Sequence, residues 1–395
     1  MTSKYGIIGG GIAGASIAYH LSQRTDDPVV LFERQSPASE TTYKSVAQYG
    51  FYGDETQYRM KRYGMKLYNE FFRDHRVNPR YTSMGILTVS TEPDNARRMQ
   101  EAIQKGGDSY FGKMGMGFDR DLVEYLDGGE IKEKLLLPPV DDEPIKGALF
   151  RPKVGYMDRP QELAYEFLER AKEHGVDVHS NTAVAEVTTE GDQATGVITE
   201  EGEEIELDEV ICAAGPWNTE IAESVGVELP VKHTMAPILV LQPDDQSDYT
   251  LPAISHFESP YAFHRRSEDE FLIGYNPGDV YDDAGRLDPN TMSEKVPEEI
   301  RNEGIELLGK LVPDLIDAKV VEEWVGIRSI TPDKNPVVGW TELEGFSIAA
   351  FHTSGIQLAP AVGKMIATQV LDDDPGDYYE NLSIARFDGY TDYRT

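Results

Sequence analysis

Near its start the chain carries Gly9-x-Gly11-x-x-Gly14, set between an apolar run and a stretch with helical spacing. Lys4–Ile8 reads as a buried strand, Ile12–Gln23 as a helix and Val29–Glu33 as a second strand, so the motif falls in the turn of a βαβ unit. That placement gives each glycine a task. Gly9 permits the tight turn, Gly11 lets a pyrophosphate approach the backbone, and Gly14 lets helix and strand pack closely. The helix N-terminus adds unpaired N–H groups and a partial positive charge for phosphate. Glu33 ends the second strand about 20 residues past the glycines, where a carboxylate accepts the hydroxyls of an adenosine ribose and repels a 2′-phosphate. The unit predicts dinucleotide binding, with FAD and NAD both open and NADP disfavoured.

Charge narrows the partners. There are 37 Lys+Arg against 70 Asp+Glu, a formal net charge of −33. Such a surface repels nucleic-acid phosphates. The acid is spread along the chain, as in Glu200-Glu201, Glu203-Glu204, Asp244-Asp245 and Asp372-Asp373-Asp374. Distributed acid is tolerated where salt screens it, the Debye length being about 3 Å in molar salt. A halophilic protein is the expectation, with an ordinary acidic cytosolic protein as the alternative. The single cysteine, Cys212, excludes an internal disulfide. Tyr5–Leu21 has the glycine spacing of the βαβ turn and is not read as a signal peptide. No run of 18 apolar residues suggests a membrane span. A cytoplasmic protein is expected.

Further along, Glu55–His75 has helical spacing at Met60, Tyr63, Leu67 and Phe71. Gly85–Ser90 reads as a strand, Pro93–Lys105 as a helix and Gly106–Phe118 as a loop. Pro160 opens a helix that stops at Gly175. Val176–His179, Ala183–Thr188, Ala194–Thr199, Glu204–Leu207 and Glu209–Cys212 follow as short β-segments, read together as an antiparallel meander. Val231–Leu241 and Tyr261–Gly274 are β-rich. Pro297–Leu311 reads as a helix, Phe346–Ala350 as a strand and Gln357–Leu371 as a closing helix.

Four segments carry a family resemblance. Val210-Ile211-Cys212-Ala213-Ala214-Gly215-Pro216-Trp217 resembles the "VVxAAGxW" segment of D-amino-acid-oxidase-like FAD-dependent oxidoreductases, whose members include glycine oxidase, sarcosine oxidase and dimethylglycine dehydrogenase. Trp324 to Asp333, with Pro336 and Gly339, resembles their "WxGxRxxTPDxxPxxG" stretch. His352 to Gly363 resembles their "GIxLAPAxG" helix start, and Gly155–Pro160 their "GyvdP" element. The motifs fall in family order along essentially the whole chain.

The resemblance implies an α/β fold, α+β in its second part. A Rossmann-like FAD-binding domain is assembled from residues 1–82, 145–225 and 325–395. A discontinuous mixed-sheet substrate domain comprises 83–144 and 226–324. It implies FAD as cofactor, with Gly9, Gly11, Gly14, Glu33, Arg34, Ser45, Ala47, Val184, Ala214, Gly215, Trp217, Ser354, Gly355, Ile356 and Gln357 around it. Ala183-Val184 would offer backbone groups to the adenine. Ser45 would bond the pyrophosphate or ribityl chain, a solvated loop serine being the alternative. The N–H groups opening the helix at Ser354–Gln357 would face the flavin C2 carbonyl. Covalent attachment occurs in part of the family; no His lies in Glu40–Tyr49 and no Cys in Gly326–Ile330, so non-covalent FAD is expected.

At the reacting end, Arg328 matches the family position that clamps a substrate carboxylate, a task suited to a planar guanidinium; a structural ion pair is the alternative. Tyr261 and His264 lie on an expected pocket strand, Tyr49, Phe51 and Tyr52 could wall an alkylamine, and His352 precedes the closing helix. Each has a plain core role as its alternative. No metal site or nucleophilic triad is legible. The implied reaction is oxidation of a C–N bond in an amino acid or N-methyl amine (sarcosine, dimethylglycine, glycine or a D-amino acid). Hydride passes to flavin N5 and the imine product hydrolyses, with oxygen or an electron-transfer acceptor taking the electrons. The rival readings are a non-catalytic or electron-transferring flavoprotein subunit of a larger complex and an NAD-dependent dehydrogenase.

Overall fold

A computed structural model describes residues 2–51, 53–74, 81–83, 85–104, 123–131, 141, 143–243, 251–266, 270–278, 281, 287–376 and 379–387. The loop expected at Gly106–Phe118 and the side chain of Tyr52 lie outside these residues.

Tyr5–Ile8 is buried at every position and forms the centre of a six-stranded sheet. It pairs in parallel with Val29–Glu33 on one side and Glu209–Cys212 on the other. Asp177–Ser180 extends the first side, and Phe346–Ala350 the second, both in parallel. Val337–Trp340 adds an antiparallel edge. The five parallel strands therefore run in the doubly wound order 3-2-1-4-5. Fully apolar strands such as Val29–Phe32 suit a sheet covered on both faces.

The meander expected after Gly175 is only partly right. Val184–Glu190, Gln193–Thr199 and Glu204–Glu206 do form a three-stranded antiparallel sheet. Asp177–Ser180 and Glu209–Cys212 instead join the parallel sheet. Short strands with turn signals cannot announce a partner that lies in another part of the chain.

The helix Ile12–Ser22 packs against two helices, Pro160–Glu173 and Gly355–Gln369. Ser16 donates a hydrogen bond from Oγ to the Ala359 carbonyl at 2.9 Å, joining the start of the chain to its closing helix. A separate eight-stranded mixed sheet faces the cavity between the two halves. Its longest members, Lys232–Gln242 and Lys319–Ile330, pair antiparallel along their whole length. Gly147–Arg151, grouped by the sequence division with the dinucleotide pieces, pairs with Ile86–Ser90 in this second sheet. Among the described residues no helix is long and apolar enough to cross a membrane.

Candidate active site

A cavity of about 730 Å³ runs between the two sheets, within the ~300–1,000 Å³ range of ligand pockets. One end is built from backbone. Gly9 has φ +107°, in the left-handed region, and a Cβ there would stand 2.5 Å from the Ala213 carbonyl oxygen. A Cβ on Gly14 would stand 1.9 Å from the Gly9 carbonyl oxygen, so no side chain fits where helix meets strand. The Thr42 hydroxyl accepts from the Ile12 amide at 3.0 Å and fixes the crossing loop against the helix start. Glu33 accepts from the amides of Gly10 and Gln35, both at 2.8 Å, which holds its carboxylate at the cavity wall. Gly11, Arg34, Val184, Ala214 and Gly215 line the same end. Arg34 lies 3.7 Å over the Trp217 ring, and the indole N–H donates to Asn290 Oδ1 at 2.7 Å. Asn290 carries no sequence signal, since a polar turn residue between a strand and a helix looks like any other.

The middle of the cavity is bounded by the segment after the second strand. Ser45 lines the wall, and its Oγ accepts from the Ala47 amide at 2.9 Å, which leaves its O–H as a donor. Ala47 adopts φ +48° and lines the wall with it.

At the far end, two stretches with the family motifs are stitched together. The Thr331 amide donates to His352 Nδ1 at 2.9 Å, and the Thr353 amide to the Ser329 carbonyl at 3.1 Å. His352 is 4 % exposed and, with Nδ1 accepting, carries its ring proton on Nε2 in the neutral form. Thr353 and Ser354 both take left-handed φ, +45° and +46°, a strained pair that turns the chain sharply into the helix Gly355–Gln369. Ser354 is the N-cap but its side chain makes no capping bond, so the first-turn N–H groups open towards the cavity lined by Ser354, Gly355 and Ile356. Gln357 is buried and not part of the wall. Its Oε1 accepts from the Gly50 amide at 3.1 Å, and its Nε2 has no partner.

Arg328 lines this end, half-buried on the strand Lys319–Ile330, and donates from Nη1 to Asn276 Oδ1. His264 also lines the cavity, but not beside Arg328. Strand register sets His264 opposite Leu272, Leu272 opposite Val240, and Val240 opposite Glu322. Six residues separate Glu322 from Arg328, about 20 Å along a strand. One small substrate cannot touch both side chains. Burial lowers the His264 pKa to about 4, and its Nδ1 has no partner. Tyr261 sits on the opposite face of its strand. Its hydroxyl bonds the Ile300 carbonyl and Glu303, and its ring packs in the core beneath the helix Glu298–Leu311. A role for Tyr261 at the reacting centre is therefore withdrawn: strand alternation turns it away, with Phe263, while Ala262 and His264 face the cavity. The sequence reading missed the buried Lys61, on the helix Glu55–Phe71, which also lines the wall. Cys212 lies off the cavity. Its thiol donates to Asn218 Oδ1 at 3.2 Å, and burial pushes its pKa up to about 12. Among the described residues no group of three or more His, Cys, Asp or Glu is placed to hold a metal.

These residues fit FAD. Glycines clear side chains from the turn where a pyrophosphate would lie, a carboxylate stands at the wall where a ribose would lie, and an uncapped helix start opens on the other end. The fold and cavity define a dinucleotide-dependent oxidoreductase. The chain belongs to the DAO family, FAD dependent oxidoreductase, which it matches over residues 4–369. It is 28 % identical over 400 residues to 4-methylaminobutanoate oxidase (formaldehyde-forming) of Paenarthrobacter nicotinovorans, covering 98 % of this chain but 46 % of that longer protein. It is 23 % identical to sarcosine oxidase subunit beta of an Arthrobacter species, over 97 % of this chain and 90 % of the relative. The solved structure of glycine oxidase from Geobacillus kaustophilus superposes with a TM-score of 0.79 at 21 % identity, covering 97 % of this chain and 98 % of that one.

Proposed function

We propose that the protein oxidises the C–N bond of an amino acid or N-methyl amino acid, with FAD held non-covalently in the cavity. The observation that carries this is a single cavity shared by the pyrophosphate turn at Gly9–Gly14 and by Arg328, His352 and the helix start at Ser354. When bound, FAD supplies a hydride acceptor at N5. The chain's own residues do the rest. Arg328 takes the substrate carboxylate through the N–H groups of its planar fork, and Asn276 holds the guanidinium in place. That anchoring aligns the substrate Cα with the ring and lowers the entropic cost of reaction. His352, buried and neutral, fixes the turn that joins Arg328's strand to the helix start. The cover sheet excludes water with small and apolar residues, Ala236, Ile238, Ala262 and Gly274. Non-covalent binding is supported by the position of Cys212, which is buried and engaged by Asn218. Sarcosine, dimethylglycine, glycine and D-amino acids are the candidate substrates, with oxygen or an electron-transfer protein as acceptor. The acidic surplus supports work in high salt.

The test is anaerobic. Purified protein in molar salt is mixed with a panel of N-methylated and D-amino acids, and bleaching of the flavin band is followed. At least one carboxylate-bearing amine should bleach it. A flavin-loaded protein that no member of the panel bleaches would point to the electron-transferring subunit instead.

A further inference from the structure

His264 is 4 % exposed and lines the cavity, and among the described residues its Nδ1 has no partner. Burial keeps the ring neutral, with its pKa lowered to about 4. A neutral imidazole offers one N–H donor and one acceptor nitrogen. Burying that capacity unused is costly, and the cavity is where a ligand can use it.

The sheet between His264 and Arg328 is cleared of large side chains along one diagonal. Ala262 stands two residues from His264 on the same face, opposite Gly274. Gly274 stands opposite Ile238. Two residues before Ile238, Ala236 stands opposite Gly326, which is two residues from Arg328. Ala262, Gly274, Ala236 and Gly326 all line the cavity. A glycine inside a strand weakens it and often marks a close approach by backbone or ligand. At Gly326 the approach is by backbone, since an added Cβ would stand 3.5 Å from the Lys44 carbonyl oxygen. Gly274 differs. Its φ is not left-handed, and an added Cβ would meet the tip of the Ile238 side chain at 3.3 Å, with the Ala262 carbonyl oxygen further off at 3.8 Å. The backbone does not demand glycine there; a ligand lying across the sheet does.

We propose that this trough is a subsite for an elongated substrate, whose carboxylate lies at Arg328 and whose substituent crosses Gly274 and Ala262 to end in a neutral hydrogen-bonding group, an amide or a hydroxyl, at His264. This rests on the reading of Arg328 as the carboxylate anchor. Register offsets the two residues by about 20 Å along the strand direction, so glycine or sarcosine held at Arg328 leaves His264 unused. Both side chains reach inward, and a chain of several bonds spans the rest. A second carboxylate at His264 is disfavoured, because a neutral ring supplies no charge to offset its desolvation. His264 is thus a specificity-determining residue.

Alkoxyacetates test the subsite without turnover, because oxygen in place of the amine nitrogen leaves nothing to oxidise. Binding is read from the shift of the flavin absorption band in the holoenzyme. The chain is lengthened stepwise from methoxyacetate and ends either in a primary amide or in the isosteric branched alkyl group. At the matching length the amide should bind natural protein at least about tenfold more tightly than its alkyl isostere. In His264→Leu the two should bind within about threefold of one another. His264→Gln, which keeps a hydrogen-bonding side chain, should recover part of the difference. Equal amide and alkyl affinities at every length in natural protein overturn the proposal, as does an amide preference that His264→Leu leaves intact. Should His264→Leu not hold flavin, Ala262→Leu takes its place. By filling the trough it should weaken the long amide at least about tenfold more than methoxyacetate, and equal weakening overturns the proposal. Where small carboxylate-bearing amines bleach the flavin, such failures sink the subsite alone. Flavin that no carboxylate-bearing amine bleaches, short or long, overturns the functional reading as well.

Discussion

The two ends of the cavity are built by different means. At the pyrophosphate turn, backbone makes the site: Gly9 and Gly14 matter for the side chains they lack. At the Arg328 end, side chains make the site, projected from a long antiparallel strand pair whose facing is set by register. Backbone recognition tolerates almost no substitution and is shared by chains with different chemistry. Side-chain recognition is exchanged residue by residue, which lets one fold serve many substrates.

The largest test of that contrast is Gly14→Val. The added carbons would meet the Gly9 carbonyl oxygen, in a strand and helix that cannot move apart without disturbing Tyr5–Ile8. We expect a cost of about 3 kcal/mol or more, seen as loss of bound flavin and a lower unfolding midpoint. Retention of flavin at natural occupancy would show that the turn is not the phosphate site.

Next is Arg328→Met. Removing the guanidinium should lower kcat/KM for a carboxylate substrate roughly a hundredfold to a thousandfold, about 3–4 kcal/mol. Flavin content should be unchanged. An amine without a carboxylate should lose far less, so equal losses for both substrates would show Arg328 to be structural.

The same contrast explains what the sequence could reveal. Gly9, Gly11, Gly14 and Glu33 were legible because a local turn fixes their spacing, and their neighbours in the chain are their neighbours in space. Arg328, His352 and Ser354 were legible only by resemblance. The bonds that unite them, Thr331 to His352 and Thr353 to Ser329, join segments about 20 residues apart with no local periodicity. Tyr261 and His264 could not be told apart by strand assignment alone. Period-two alternation separates the faces, but which face meets the cavity depends on pairings with Leu272, Val240 and Glu322 far along the chain. Lys61 was illegible for a related reason: a lysine in an amphipathic helix reads as solvated until Gly64 is seen against Gln357.

A third, smaller effect is acid sensitivity. Burial lowers the pKa of His233 and His264 to about 4, and that of His20 to about 3, with Lys364 and Arg24 adding to the last. Each is neutral in the folded protein and titrates near 6.5 when unfolded. Below that value the unfolded chain binds more protons, so these groups' stabilising share is intact above about pH 6.5 and is lost as pH falls towards about 4. Thermal unfolding in molar salt should show the decline, and His264→Leu should make it shallower in that window. An unchanged slope would place His264 in contact with water.

The smallest predicted effect separates the two faces of one strand. Tyr261→Phe removes a hydroxyl that bonds the Ile300 carbonyl and Glu303, both on the helix behind the sheet. Glu303 stays exposed and recovers water, so the loss should be about 1 kcal/mol, or roughly 2 °C in Tm. Because the phenol points away from the cavity, kcat/KM and flavin content should remain at natural values. A stability loss without a kinetic one makes the strand a divider, with core chemistry on the Tyr261 side and ligand chemistry on the His264 side. A kinetic loss at unchanged Tm would instead turn the Tyr261 face towards the ligand and reverse the register on which the cover sheet's reading depends.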